Sequence, residues 1–198
     1  MVTEKGRFCH LIDTHCLNPD KAALIMHSGE FLTYGELIGL RNQVQTTLMD
    51  WARPWERVAV ITRNGLLCMP LLLGIMESAI CAPLDPTLNS EQYLSQLELL
   101  RIDWVLCDGD LSPVMEAALD LHLGIITLQR RRIQGLETLE LNQLREPDWR
   151  RDQGDTRPAF IFTTSGTTSK PKVVPMLYAG LAKAIEVETE FYDYTQDS

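Results

Sequence analysis

Hydrophobic and polar positions along the chain alternate in blocks that predict short strands and amphipathic helices. Two apolar stretches, residues 23–26 and 31–32, flank a polar segment and predict a hairpin that turns at Gly29. Thr33 lies three residues before Glu36, the spacing of a capping box, and so predicts the start of a helix. The apolar positions that follow at spacings of three and four predict one buried helix stripe, which consists of Leu37, Leu40, Val44, Leu48 and Trp51.

The alternation of strands and helices continues along the next part of the chain. Apolar runs predict strands at residues 57–62, 80–84, 104–107 and 124–128, and helices at residues 66–78, 90–100 and 115–121. Strands that alternate with helices of about a dozen residues indicate parallel pairing, with helices on both faces of the sheet. The sequence therefore predicts an α/β fold with three layers, α/β/α, around a mostly parallel sheet.

Charged residues interrupt this pattern after Leu128. We interpret residues 129–155 as a solvated connection rather than a binding patch. An apolar run at residues 159–163 then predicts a buried strand. The predicted organisation is a leader (1–17), an alternating β/α region (18–128), a charged linker (129–157) and a strand-loop-strand-helix unit (158–198).

Composition restricts the class of protein. The chain has 198 residues, of which 45% are hydrophobic and 23% charged, values typical of a folded globular protein. A net charge of -9 argues against generic nucleic-acid binding. Five cysteines without a C-x-x-C pair indicate reduced thiols and a cytoplasmic location. The longest apolar run, residues 66–76, is too short to span a membrane, and residues 1–15 lack the apolar core typical of a signal peptide.

The candidate chemistry lies in residues 156–185, a segment without aspartate or glutamate in an otherwise acidic chain. Residues 164–172 form a cationic, hydroxyl-rich sequence directly after a predicted strand. Phosphate oxygens accept hydrogen bonds from backbone N–H groups, hydroxyls and ammonium groups, and Gly166 lets the backbone approach closely. Pro171 restricts the direction of Lys172. The sequence contains neither G-x-x-x-x-G-K-[ST] nor G-x-G-x-x-G. The residues alone leave two interpretations: a phosphate-binding loop or a plain connection.

Residues 164–174 resemble the T-S-G-T-T-G-x-P-K-G-V signature of the adenylate-forming enzymes, which include acyl-CoA synthetases and nonribosomal peptide synthetase adenylation domains. Two weaker similarities lie upstream in the expected order. Residues 32–37, LTYGEL, resemble the L-[TS]-Y-x-E-L motif, and residues 78–86, SAICAPLDP, resemble the G-G-A-Y-V-P-L-D-P region. The resemblance extends from about Asn18 to the end of the chain and implies the first part of the large N-terminal domain of these enzymes.

The resemblance implies a ligase that uses ATP and Mg²⁺. A carboxylic or amino acid attacks the α-phosphorus of ATP and gives an acyl adenylate and pyrophosphate. A thiol of CoA or of carrier-bound phosphopantetheine then takes the acyl group. By position, the loop would bind the β- and γ-phosphates, whereas Lys170 lies at a variable position of the signature. The implied phosphate-binding residues are Thr164, Ser165, Gly166, Thr167, Thr168 and Lys172.

The chain departs from the family pattern at three positions. Ser169 and Val173 replace glycines of the signature, which reduces backbone freedom and could alter closure of the loop. Tyr178 stands where many members have histidine. We interpret Ser169 as variation within the family.

Members of the family are much longer, so the resemblance implies an N-terminal fragment that is inactive alone. The catalytic lysine and the adenine, ribose and acyl contacts would lie outside it, and a carrier protein, the remainder of the ligase or a second copy could be its partner. The alternative is a non-catalytic remnant of the fold that acts as an interaction or regulatory module. We assign no metal site: Cys9-His10 and His15-Cys16 do not have a standard zinc spacing.

Overall fold

The computed structural model describes Asp13 and residues 18–63, 65–108, 112–133, 136–149, 157–164 and 171–192. In chain order the elements are β1 (Ala22–Ile25), β2 (Phe31–Thr33), α1 (Tyr34–Met49), β3 (Arg57–Ile61), α2 (Cys68–Ser78), β4 (Ile80–Pro83), α3 (Ser90–Leu100), β5 (Trp104–Asp108), α4 (Ser112–Asp120), β6 (Gly124–Ile133), β7 (Leu136–Arg145), β8 (Phe160–Thr164), β9 (Lys172–Met176) and α5 (Tyr178–Tyr192).

The predicted hairpin and helix start are both confirmed. β1 and β2 pair antiparallel, and Gly29 between them has a φ of 86°, a conformation that glycine adopts without a steric penalty. The Thr33 hydroxyl accepts a hydrogen bond from the Glu36 backbone N–H at 3.2 Å. The Glu36 carboxylate accepts one from the Thr33 backbone N–H at 2.8 Å. This reciprocal pair satisfies two donors at the start of α1.

One face of α1 is buried as its spacing predicts. Leu37, Leu40, Val44 and Leu48 are buried, whereas Trp51 lies beyond the helix end and is half-buried. α1 and α2 pack closely against each other. A Cβ added at Gly74 of α2 would lie only 2.7 Å from the Cβ of Val44 in α1. The absence of a side chain at Gly74 therefore lets the two helices approach each other.

The main sheet has seven described strands in the order β7-β6-β5-β3-β4-β8-β9. β6, β5, β3, β4 and β8 run parallel, and β7 and β9 are antiparallel strands at the two edges. Successive residues of a strand face opposite sides of a sheet. Val58 and Val60 accordingly pack in a cluster with α1 and α2, whereas Ala59 and Ile61 pack in a second cluster with α3 and α4. The fold is thus a three-layer α/β/α structure, as predicted.

The interpretation of residues 129–157 as a linker is wrong for residues 129–145. β6 continues to Ile133, and β7 returns antiparallel from Leu136 to Arg145. Leu139 of β7 is buried, and its carbonyl oxygen accepts a hydrogen bond from the Gln43 side chain of α1 at 2.5 Å. Packing against α1 therefore stabilises a strand at the sheet edge in a segment that is rich in charge.

The strand predicted at residues 159–163 is present as β8, but it is less buried than expected. Ile161 is buried, whereas Phe160, Phe162 and Thr163 are half-buried and Thr164 is exposed. In the ranges given above, no helix combines the length and apolarity needed to cross a membrane.

Candidate functional site

The β8–β9 hairpin brings together the two ends of the predicted phosphate-binding sequence. Thr164, the last residue of β8, pairs with Lys172, the first residue of β9, and both are exposed. Ser165, Gly166, Thr167 and Thr168 lie outside the described residues, as do Ser169 and Lys170. The structure therefore places the hydroxyl of Thr164 and the ammonium-bearing Lys172 at one end of a single hairpin.

This end of the hairpin lies at the carboxyl edge of the parallel strands. β8 runs parallel to β4, and β3 and β5 end at the same edge in Ile61 and Asp108. In open α/β sheets this edge is where ligands bind. The Thr62 hydroxyl donates a hydrogen bond to the Asp108 carboxylate at 3.4 Å, so this edge of the sheet also carries polar side chains. The sheet topology thus positions Thr164 and Lys172 where an α/β fold accommodates a ligand.

Lys172 carries a positive charge that the described part of the chain does not neutralise. No described carboxylate forms an ion pair with it, whereas Lys183 of α5 pairs with Glu186 at 3.0 Å. An exposed ammonium group without an acidic partner can approach the oxygens of an incoming anion. Lys172 and the Thr164 hydroxyl together have the chemistry of a phosphate contact.

Two departures from the family signature have structural explanations. Val173 lies in regular antiparallel pairing opposite Thr163, where a strand does not need the freedom of glycine. Tyr178 is buried at the start of α5, and its hydroxyl donates a hydrogen bond to the Met76 carbonyl oxygen. Val173 is therefore compatible with the hairpin, and Tyr178 connects the hairpin to α2.

Asp85, in the sequence Leu84-Asp85-Pro86, forms hydrogen bonds with a residue two positions further along the chain. The Asp85 carboxylate accepts hydrogen bonds from the Thr87 hydroxyl at 2.6 Å and from the Thr87 backbone N–H at 2.8 Å. These bonds lower the pKa of Asp85. The Tyr93 hydroxyl donates to the Asp85 carbonyl oxygen at 2.9 Å. These hydrogen bonds therefore stabilise the turn between β4 and α3.

The two buried cysteines among the described residues do not provide a nucleophile. Cys81 and Cys107 are buried and Cys68 is half-buried, and none of these three described cysteines is in a disulfide. Burial raises the pKa of Cys81 well above its ordinary value and raises that of Cys107 to about 11. At neutral pH both groups are therefore protonated, and it is the thiolate that reacts.

Among the described residues, no group of three or more His, Cys, Asp or Glu side chains is arranged to hold a metal ion. Cys9, His10, His15 and Cys16 lie outside them.

Sequence reasoning gave no role to Arg157, which lies near the base of the β8–β9 hairpin, at the end opposite the candidate site. It was notable only as one of four cations in the acid-free segment. In the structure its guanidinium donates hydrogen bonds to the carbonyl oxygens of Met76 and Ala79, both at 3.0 Å. No local pattern predicts this role, since its partners are about 80 positions away in the sequence.

The chain is similar to proteins of one family along almost its whole length. The model of the family described as AMP-binding enzyme matches residues 14–197. Fusarin C synthetase from Gibberella fujikuroi is 26% identical over 176 residues, which cover 87% of this chain and 4% of that protein. Surfactin synthase subunit 1 from Bacillus subtilis is 28% identical over 159 residues, which cover 76% of this chain and 4% of that protein.

Solved structures show the same fold. Apo MatB from Rhodopseudomonas palustris has a TM-score of 0.70 at 18% identity, and the alignment covers 94% of this chain and 38% of MatB. The nonribosomal peptide synthetase FmoA3 in its AMPPNP-bound form has a TM-score of 0.65 at 22% identity, with 98% of this chain and 19% of that chain covered. The chain spans much less than two thirds of the length of these relatives.

Proposed function

The chain belongs to the AMP-binding enzyme family, and from this premise we propose that it forms the triphosphate-binding part of a ligase that activates carboxylic or amino acids with ATP. One observation carries the proposal. The β8–β9 hairpin places Thr164 opposite Lys172, at the two ends of a Ser-, Thr- and Gly-rich sequence and at the carboxyl edge of a parallel sheet. Hydroxyl donors at this edge, with a lysine that no described carboxylate pairs with, fit a triphosphate.

In the proposed reaction the acid attacks the α-phosphorus of ATP, and the bond to the β-phosphate oxygen breaks. Pyrophosphate leaves with additional negative charge. Lys172 and the Thr164 hydroxyl would stabilise that charge, together with the donors of Ser165, Gly166, Thr167 and Thr168. Such fixed donors act where charge develops in the transition state. The family resemblance implies ATP with Mg²⁺ as the substrate, so we assign Mg²⁺ to the phosphates of ATP.

The second half of the proposed reaction transfers the acyl group to a thiol. The resemblance to acyl-CoA synthetases and to peptide synthetase adenylation domains leaves two candidate acceptors, CoA and phosphopantetheine on a carrier protein. In either case the thiolate attacks the carbonyl carbon of the adenylate and AMP leaves. We assign no residue of this chain to that step.

The first test measures which part of ATP this chain binds. We expect magnesium tripolyphosphate at about 100 times its dissociation constant to raise the melting temperature by roughly 5–10 °C, because ligand binding to the folded state adds free energy of unfolding. Adenosine at the same concentration should leave the melting temperature unchanged. Differential scanning fluorimetry measures both. A shift with adenosine and none with tripolyphosphate would contradict the proposed assignment.

We also propose that the 198-residue chain does not form an adenylate by itself. The family resemblance assigns the ribose and acyl contacts and the catalytic lysine to sequence that this chain does not span, and their loss removes both orientation and charge stabilisation. ATP–pyrophosphate exchange with a panel of carboxylic and amino acids should therefore stay at background. Robust exchange by this chain would show that it contains a complete active site, and this part of the proposal would be wrong.

One observation favours a second candidate function, an interaction module. The segment from β9 through α5 exposes large apolar side chains, among them Val174, Leu177, Val187 and Phe191. A partner that covered these side chains would remove apolar surface from water. If the chain binds no tripolyphosphate but associates with a second copy or another protein in solution, the module is the better description.

A further inference from the structure

The base of the β8–β9 hairpin is attached to the carboxyl end of α2 by two side chains. The half-buried Arg157, three residues before β8, donates hydrogen bonds to the Met76 and Ala79 carbonyl oxygens, both at 3.0 Å. The buried Tyr178, two residues after β9, donates its hydroxyl to the same Met76 oxygen. The last carbonyls of a helix lack partners within the helix, so these donors satisfy groups that would otherwise need water.

The backbone contacts of the hairpin with the sheet also lie at its base. The described ladder between β4 and β8 consists of the pair Cys81↔Phe160. The Cys81 N–H donates to the Ala159 carbonyl at 3.0 Å, and the Ala159 N–H donates to the Met176 carbonyl at 2.9 Å. Beyond Phe160, the described strand pairing of β8 is with β9 alone, up to Thr164↔Lys172. The hairpin is therefore held at one end and carries the candidate site at the other.

We propose that Arg157 and Tyr178 are positioning residues that set where Thr164 and Lys172 stand. Thr164 lies four positions beyond Phe160, which is about 13 Å along the strand. A tilt of about 10° at the base would move Thr164 and Lys172 by roughly 2 Å, a displacement large enough to weaken a contact that depends on geometry. The attachment of the hairpin to α2 follows from the hydrogen bonds of Arg157 and Tyr178. The effect of this attachment on phosphate binding rests on the proposed function.

The test compares Tyr178→Phe with a matched control, Ser78→Ala. The Ser78 hydroxyl donates to the Gly74 carbonyl at 2.9 Å and to the Gln45 carbonyl at 3.1 Å, so its loss weakens the same end of α2 without touching the hairpin. Tyr178→Phe keeps the buried ring and removes only the hydroxyl. Amide hydrogen exchange in β8 and β9 should become about fivefold faster in Tyr178→Phe, the effect of one lost hydrogen bond, and should not change in Ser78→Ala.

Affinity for magnesium tripolyphosphate supplies the second readout. We expect Tyr178→Phe and Arg157→Met to weaken binding about tenfold, Arg157→Lys to retain most of the affinity because its ammonium can still donate, and Ser78→Ala to bind as the parent chain does. Equal exchange rates in the hairpin and equal affinities for Tyr178→Phe and Ser78→Ala would overturn the inference. If only the hairpin exchange changes and the parent chain binds no tripolyphosphate, the attachment stands and the proposed function fails.

Discussion

Gly124→Ala should lower the free energy of unfolding by roughly 3–5 kcal/mol. Gly124 pairs with Trp104 across β5 and β6, and a Cβ at this position would lie 2.3 Å from the indole ring. The ring is fully buried, and its N–H donates to the Glu56 carboxylate at 2.9 Å. Moving the ring would therefore disturb the packing of one core cluster and also break a buried hydrogen bond.

Gly39→Ala is the matched control, because a Cβ added at Gly39 in α1 meets nothing within 4 Å. Alanine should raise the free energy of unfolding there by about 0.5–1 kcal/mol, since glycine is a poor residue for a helix interior. Urea denaturation measures both variants. In a Trp104→Leu background, Gly124→Ala should cost much less, because the smaller side chain leaves room for a methyl group. A full cost in that background would show that the Trp104 contact is not the cause.

Much of the fold could be predicted from local pattern. The central strands β3, β4 and β5 are buried on both faces of the sheet, so each appears in the sequence as a nearly continuous apolar run. α1 combines a capping box with a stripe at helical spacing, and these two signals agree. Elements with such redundant local signals were found with nearly correct bounds.

β7 was missed because its stability comes from tertiary contacts. The leucines of this strand do not alternate strictly, and polar or charged residues separate them: Leu136, Leu139, Leu141 and Leu144. The strand forms because it pairs with β6 and because α1 covers part of it. An edge strand that depends on a neighbouring helix has no sufficient signal in its own sequence.

The roles of Gly124 and Arg157 depend on contacts that only the fold creates. The sequence predicts Gly124 at the start of a strand. It does not predict that a side chain there would clash, because the clash arises from the strand register that pairs Gly124 with Trp104. Arg157 contacts Met76, which lies 81 positions away. For the candidate site, by contrast, the motif predicted Thr164 and Lys172, and the structure places them together. This pairing concerns position alone. The phosphate-binding assignments of all six residues, Thr164, Ser165, Gly166, Thr167, Thr168 and Lys172, stay predictions.

Lys172→Ala should weaken the binding of magnesium tripolyphosphate to this chain by about 10- to 100-fold, the range expected for one lost hydrogen bond to a charged group. In a complete ligase the same change should slow ATP–pyrophosphate exchange by about 10²- to 10³-fold, because a fixed cation would be missing where charge develops on the leaving group. Isothermal titration calorimetry measures the first effect, and radioactive pyrophosphate exchange measures the second.

Lys170→Ala is the control for charge, since it removes one positive charge two positions away at a variable position of the signature. If Lys172 makes a direct contact, its loss should cost far more affinity than the loss of Lys170 at every salt concentration. If both lysines act only through long-range attraction, the two variants should bind equally, and the difference from the parent chain should vanish in about 0.5 M salt, where screening is strong. Equal affinities for the two variants would therefore remove Lys172 from the phosphate contacts.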